Sequence, residues 1–343
     1  MKKLLMIIIT LSLLAVPVSA AEFTAPQISN PYMPAEVEDF SDGLWFIIKN
    51  AIHNLSPEIR DASGICLSII AVAMLISLIT SAFSFNNQIA ATVGIISVAV
   101  LLFKPSDTFI QMGINTVQDL SQYGKLLLPV MTASLAAAGG ATTSATLYAG
   151  TAIFNHVLTT LLTKLIVPLI YIYLCVSVGQ SIVKEDLLGN IKKFVKWVIQ
   201  WGLKVAIYIF TGYLSITGVI SGTVDASALK ATKLAISGFV PVVGGVISDA
   251  SETILLSAGL MKNAAGIYGG LAILAMWIGP FLQIGIQYLL LKVTGIICST
   301  FHSDAVAEVI KDFTSALGFV LGMIVTICVL LLISTVCFMK GVS

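Results

Sequence analysis

The chain has 343 residues, with 18 Lys plus Arg against 17 Asp plus Glu and a formal net charge of +1. Charged residues make up 10% and hydrophobic residues 57% of it, and its mean hydropathy is +1.01; an ordinary soluble domain carries about 25% charged residues. So few charges exclude a soluble enzyme, a nucleic-acid binder and a disordered chain, and apolar runs near the ~20 residues that cross a bilayer point to an all-α polytopic membrane protein.

Lys2 and Lys3 precede a short apolar run from Leu4 to Val16, then Pro17 and the small residues Val18-Ser19-Ala20. This pattern predicts a signal peptide over 1–20, cut after Ala20 or Ala21. An uncleaved first membrane helix is the alternative. Residues 21–62 then read as an extracytoplasmic segment. Pro26, Pro31 and Pro34 keep its first part extended. Val37, Phe40, Leu44, Ile47, Ile48, Ala51, Ile52 and Leu55 follow at helical spacing, which predicts an amphipathic helix resting on the membrane or on the protein's own spans.

Residues 63–343 form the multi-span domain. Ile65–Phe83 and Ile89–Phe103, separated by uncharged Asn86-Asn87-Gln88, read as a helical hairpin, and Lys104–Lys125 as a polar loop. Leu126–Ile153 is dominated by small residues around Gly139-Gly140. Val157–Val183 is a span that contains Pro168 and carries Lys164, and Leu203–Ser221 is another. Phe239–Ala258 is again rich in small residues, with Pro241, Gly244-Gly245, Asp249 and Glu252. Ala264–Leu291, with Pro280, and Leu317–Met339 are the last two spans.

Pro129 and Pro168 are 39 residues apart, as are Pro241 and Pro280. This suggests two related units, about 126–222 and 238–339. Each has a small-residue segment opening with Pro-Val, a Pro-containing span, a charged amphipathic stretch and a final span. The amphipathic stretches are Lys184–Trp201, with Lys192, Lys193 and Lys196 on its polar face, and Ser303–Phe313, with Asp304, Glu308 and Asp312. The small-residue segments read either as broken, re-entrant hairpins, which need protein or a wet cavity around them, or as closely packed full spans. Re-entrant segments would put the basic Lys184–Lys196 stretch on the cytoplasmic side and make the repeat parallel; full spans would make it inverted.

No catalytic or metal-ligating constellation stands out, and no cofactor is expected. His53, His156 and His302 are far apart, and none of the five cysteines forms a CxxC pair. Polar groups and helix breakers at membrane depth are the candidates for function. They are Pro129, Gly139, Gly140, Lys164, Pro168, Pro241, Gly244, Gly245, Asp249, Glu252, Lys262, Asn263 and Pro280, either lining a conduit or serving a structural role. Asn155 and His156 flank Lys164 in the first unit.

The stretch Leu229–Leu274, and within it FVPVVGGVISDASETILLSAGLMKNAAG from Phe239 to Gly266, resembles the stage III sporulation protein AE family. So do KLLLPVMTASLAAAGGATTSA from Lys125 and LIVPLIYIYL from Leu165. The resemblance covers almost the whole chain after the leader, although the segment before the first span is shorter than the family's usual one. It implies a non-enzymatic membrane component of a secretion-like channel complex in the mother-cell membrane around the forespore, supporting forespore development after engulfment. Implied partners are other stage III sporulation membrane proteins, a cytoplasmic ATPase and a forespore-side protein, within the lipid bilayer and without nucleic acid. A self-contained secondary transporter or permease is the alternative reading of the same residues. A membrane-embedded enzyme would need a convergent polar cluster.

Overall fold

The computed structural model describes residues 32–34, 40–82, 87–137, 141–216, 264–301 and 304–340. Among them every regular element is helical. They are α1 (Phe40–His53), α2 (Ser56–Ala82), α3 (Asn87–Ala137), α4 (Ala141–Leu161), a π-helical turn (Leu162–Ile166), α5 (Val167–Val183), α6 (Asp186–Ile216), α7 (Ala264–Thr300) and α8 (Asp304–Lys340). Among the described residues six helical stretches are long and apolar enough to cross a membrane.

The bundle is organised around α8. The apolar stretch of this helix is fully enclosed by the protein, with Phe313, Phe319, Val320 and Ile324 at 0% exposure. Helix α7 packs antiparallel to it, and α3 and α6 run parallel to it. The parallel arrangement of α3 follows from two close approaches. Gly113 lies against Val320, and a Cβ built on Gly124 would come 2.7 Å from Cδ2 of Leu331. Lipid is as apolar as leucine, so such helices are held by close packing rather than by expulsion of water, and a missing Cβ at these two positions brings the backbones together. By contrast only 22% of the α2 span is buried, and Leu67, Leu75 and Leu78 remain exposed. The most apolar helix therefore faces protein, and α2 supplies much of the apolar exterior.

Several expectations change here. Lys104–Lys125 is not a loop. It is the middle of α3, a 51-residue helix, about 77 Å long at 1.5 Å per residue. Its buried positions Leu102, Ser106, Ile110, Val117 and Leu120 recur at helical spacing, so the polar residues occupy only the opposite face. Pro105 and Pro129 lie inside this helix, where each removes one amide hydrogen bond without ending it. The small-residue segment after Lys125 is likewise helical on both sides, as the end of α3 and the start of α4. Asn155 and Thr159 meet Ser121, and Tyr171 meets Asp107. The two rods are thus antiparallel; residues 138–140, with Gly139-Gly140, lie outside the described residues.

The α4–α5 rod is continuous through Pro168, with one π-helical turn ahead of it. Proline has no amide hydrogen, so the Lys164 carbonyl loses its usual partner four residues on. A widened turn absorbs the mismatch. The two amphipathic stretches are not separate surface helices either: each is the first part of a longer rod, α6 or α8. Helix α1 packs on α7, with Phe40, Gly43, Ile47 and Ala51 buried and Trp45, Phe46 and Ile52 exposed. Tyr32 lies close to Gly279 on the same helix.

Candidate functional site

Helices α5 and α6 reverse through Lys184, which adopts the left-handed conformation (φ 57°, ψ 33°) and donates its amide to the Gln180 carbonyl at 2.8 Å. Helices α7 and α8 reverse near Phe301, whose amide reaches the Cys298 carbonyl at 3.2 Å. Both turns lie at the same end of the bundle, so the basic first turns of α6 face the acidic first turns of α8. Lys192 Nζ lies 3.1 Å from Oε1 of Glu308 and 3.0 Å from Oδ2 of Asp312. The Tyr173 hydroxyl on α5 donates to the other Asp312 oxygen at 2.8 Å, and its ring meets Phe319 edge-on at 5.3 Å. The Asp312 and Lys192 side chains are 9% and 13% exposed, while Glu308 is 47% exposed. Each Asp312 oxygen thus has its own donor, and the group acts as a polar clamp joining three helices.

A second polar feature runs along α3. Lys104, Asp107, Thr108, Gln111, Asn115, Gln118, Gln122 and Lys125 are all exposed and share one helix face. The stripe is about 32 Å long, close to the ~30 Å hydrocarbon core of a bilayer. Its middle opens into a cavity of about 510 Å³, where Asp107, Gln111, Asn115 and Asp119 face Met276 and Pro280 of α7. Pro280 denies the Met276 carbonyl its usual amide partner, adding backbone polarity to that wall. At one edge the Tyr171 hydroxyl donates to Asp107 Oδ1 at 2.6 Å, and the Gln111 amide donates to Tyr171 at 3.3 Å. Elsewhere in the described part Gln287 is 1% exposed, yet neither end of its amide has a partner.

The sequence candidates are distributed unevenly over these features. Pro280 lines the α3–α7 groove. Lys164 is in the π-helical turn and Pro168 just after it, both exposed, and Pro129 is exposed near the end of α3. Asn155 points inward, its side-chain amide donating to the Ser121 carbonyl at 3.3 Å, whereas His156 and Lys164 are on the outer face. These three are therefore not one cluster. Gly139, Gly140, Pro241, Gly244, Gly245, Asp249, Glu252, Lys262 and Asn263 lie outside the described residues. Sequence reasoning missed the stripe and the clamp. The stripe was visible as polar residues at spacings of three and four between apolar ones, and the clamp as opposite charges on two amphipathic faces. Among the described residues no three His, Cys, Asp or Glu side chains are placed to hold a metal ion.

No solved structure matches the chain. Over 208 residues it is 22% identical to stage III sporulation protein AE of Bacillus subtilis (strain 168), a match covering 60% of this chain and 52% of that protein, about half its length. The stage III sporulation protein AE family matches from residue 35 to residue 341, through every helix described above, and the chain belongs to that family.

Proposed function

We propose that this protein is a membrane-embedded wall component of a channel-like sporulation complex linking mother cell and forespore, supporting the forespore after engulfment. The observation that carries the conduit part of this reading is the α3 stripe. Eight exposed polar residues along about 32 Å of one helix make a poor lipid-facing surface, since polar groups in hydrocarbon each cost several kcal/mol. They suit a surface that faces water or a polar partner. Family membership supports the sporulation setting. In this reading the protein resides in the mother-cell membrane and works with other stage III sporulation proteins, a cytoplasmic ATPase and a forespore-side protein. The leader over 1–20 is removed, and the basic start of α6 lies on the cytoplasmic side. The common end of the α5–α6 and α7–α8 turns supports the parallel form of the repeat.

The test is cysteine scanning in sporulating cells, after replacement of the native cysteines. Single cysteines at Gln111, Asn115, Gln118 and Gln122 are expected to react with a small water-soluble thiol reagent, and a bulky reagent there should lower the yield of heat-resistant spores. Cysteines at Ile153 and Val157, exposed apolar positions on α4, should stay unreactive. Reaction at Ile153 and Val157 but not on the stripe would refute the assignment. The transporter alternative would require the purified protein alone to move a solute across liposomes.

A further inference from the structure

Next to the clamp a cavity of about 740 Å³ opens between α6, α7 and α8, within the size range of small-ligand sites. Its walls carry Lys192, Lys193, Lys196, Lys292 and Lys311 against Asp304, Glu308 and Asp312. Lys192 already engages Glu308 and Asp312. Five lysines against three carboxylates leave an excess of two positive charges, and no ion pair joins the other four lysines to a described acidic residue. Lys292 is held only over the Tyr288 ring, 6.0 Å from its centre. Tyr288, Ser299 and Ser315 also line the cavity, the two serine hydroxyls donating to the Ile296 and Lys311 carbonyls of their own helices. Excess positive charge lining a cavity is the chemistry of an anion site.

The flanks of α6 and α7 indicate which anion. On α6, Phe194, Trp197 and Trp201 are 63%, 55% and 54% exposed and stacked in succession at 6.2 and 5.8 Å. On α7, Leu289, Val293 and Ile296 are exposed as well. Tryptophans of this kind favour the headgroup level of a bilayer, where basic pockets between helices hold anionic headgroups. A soluble phosphate would have no use for these apolar flanks; a phospholipid would use both features.

We propose that the cavity bounded by Lys193, Lys196, Lys292 and Lys311 binds the phosphate-bearing headgroup of an anionic phospholipid, whose acyl chains lie along the exposed apolar faces of α6 and α7. This site does not depend on the channel reading, because it is on a different face of the bundle from the α3 stripe.

The test uses the full-length protein purified in detergent, with lipid retention measured by native mass spectrometry. Wild type is expected to retain cardiolipin and phosphatidylglycerol in preference to phosphatidylcholine. Each Lys→Gln change at Lys196, Lys292 or Lys311 should weaken retention by about fivefold, while Lys204→Gln, outside the cavity on α6, should leave it unchanged. Inorganic phosphate should fail to displace the lipid. Equal retention of phosphatidylcholine, or cardiolipin binding by the triple variant at the wild-type level, would overturn the proposal. Displacement by inorganic phosphate would overturn it in favour of a soluble anion. If the triple variant loses helicity, the single variants at the exposed Lys292 and Lys311 decide the matter.

Discussion

Removing the Lys192 ammonium should reveal how far the polar clamp holds the bundle. In Lys192→Met the stem remains, but the Asp312 carboxylate, 9% exposed, keeps only the Tyr173 hydroxyl on one oxygen. Breaking a buried ion pair from one side costs about 3–5 kcal/mol because a charge is left uncompensated. With Lys192 still 13% exposed, about 3 kcal/mol is the expected loss. The partners should divide unequally. Glu308→Gln, at a carboxylate 47% exposed, should cost less than about 1 kcal/mol. Tyr173→Phe, which removes a hydrogen bond to a charged oxygen, should cost about 1.5–3 kcal/mol. The diagnostic variant is Lys192→Met/Asp312→Leu. It removes both charges and should return to within about 1 kcal/mol of wild type, since apolar replacement of a buried pair is often neutral or better. Unfolding in mixed micelles, with helicity followed as denaturing detergent is titrated in, measures these proteins together with the Asp312→Leu single, and the cycle isolates the pair. A double variant as unstable as the sum of its singles, or a Lys192→Met protein as stable as wild type, would refute the clamp.

The close approach of α3 and α8 makes Gly113→Ala costly, by about 1–3 kcal/mol, because its new methyl meets the stiff, fully buried Val320. The same micelle titration should find Gly64→Ala, with nothing within 4 Å, more stable by about 0.5–1 kcal/mol. At the α5–α6 turn, Lys184→Gly should be neutral or up to about 1 kcal/mol more stable in that assay, since glycine takes a φ of 57° without strain. Replacing Asn115, Gln118 and Gln122 together with leucine should reduce heat-resistant spore yield by more than tenfold, while a blot shows normal membrane abundance. A normal spore yield would remove the stripe from function.

Composition alone determined the class. Hardly any charge and long apolar runs leave few options besides a bundle of helices in lipid, because neither a soluble surface nor an open sheet edge is available to such a chain. The stretches that became α2, α7 and α8 could be read directly, since an uninterrupted apolar run and a membrane-spanning helix are nearly the same thing. The family motifs at Lys125 and Phe239 were likewise legible as strings. What composition misjudged was Lys104–Lys125. Counting its polar residues suggested a loop, but their spacing leaves Ile110, Gly113, Val117 and Leu120 for one buried face, and α8 is there to receive them. Only the tertiary structure decided that the apolar stretch of α8 is enclosed by protein, and that Lys192 and Asp312, 120 residues apart, are partners. Periodicity gives a helix its faces, but not what each face meets. That depends on how neighbouring rods align, here through the close approach at Gly113 and through two turns that bring a basic and an acidic helix start to the same end.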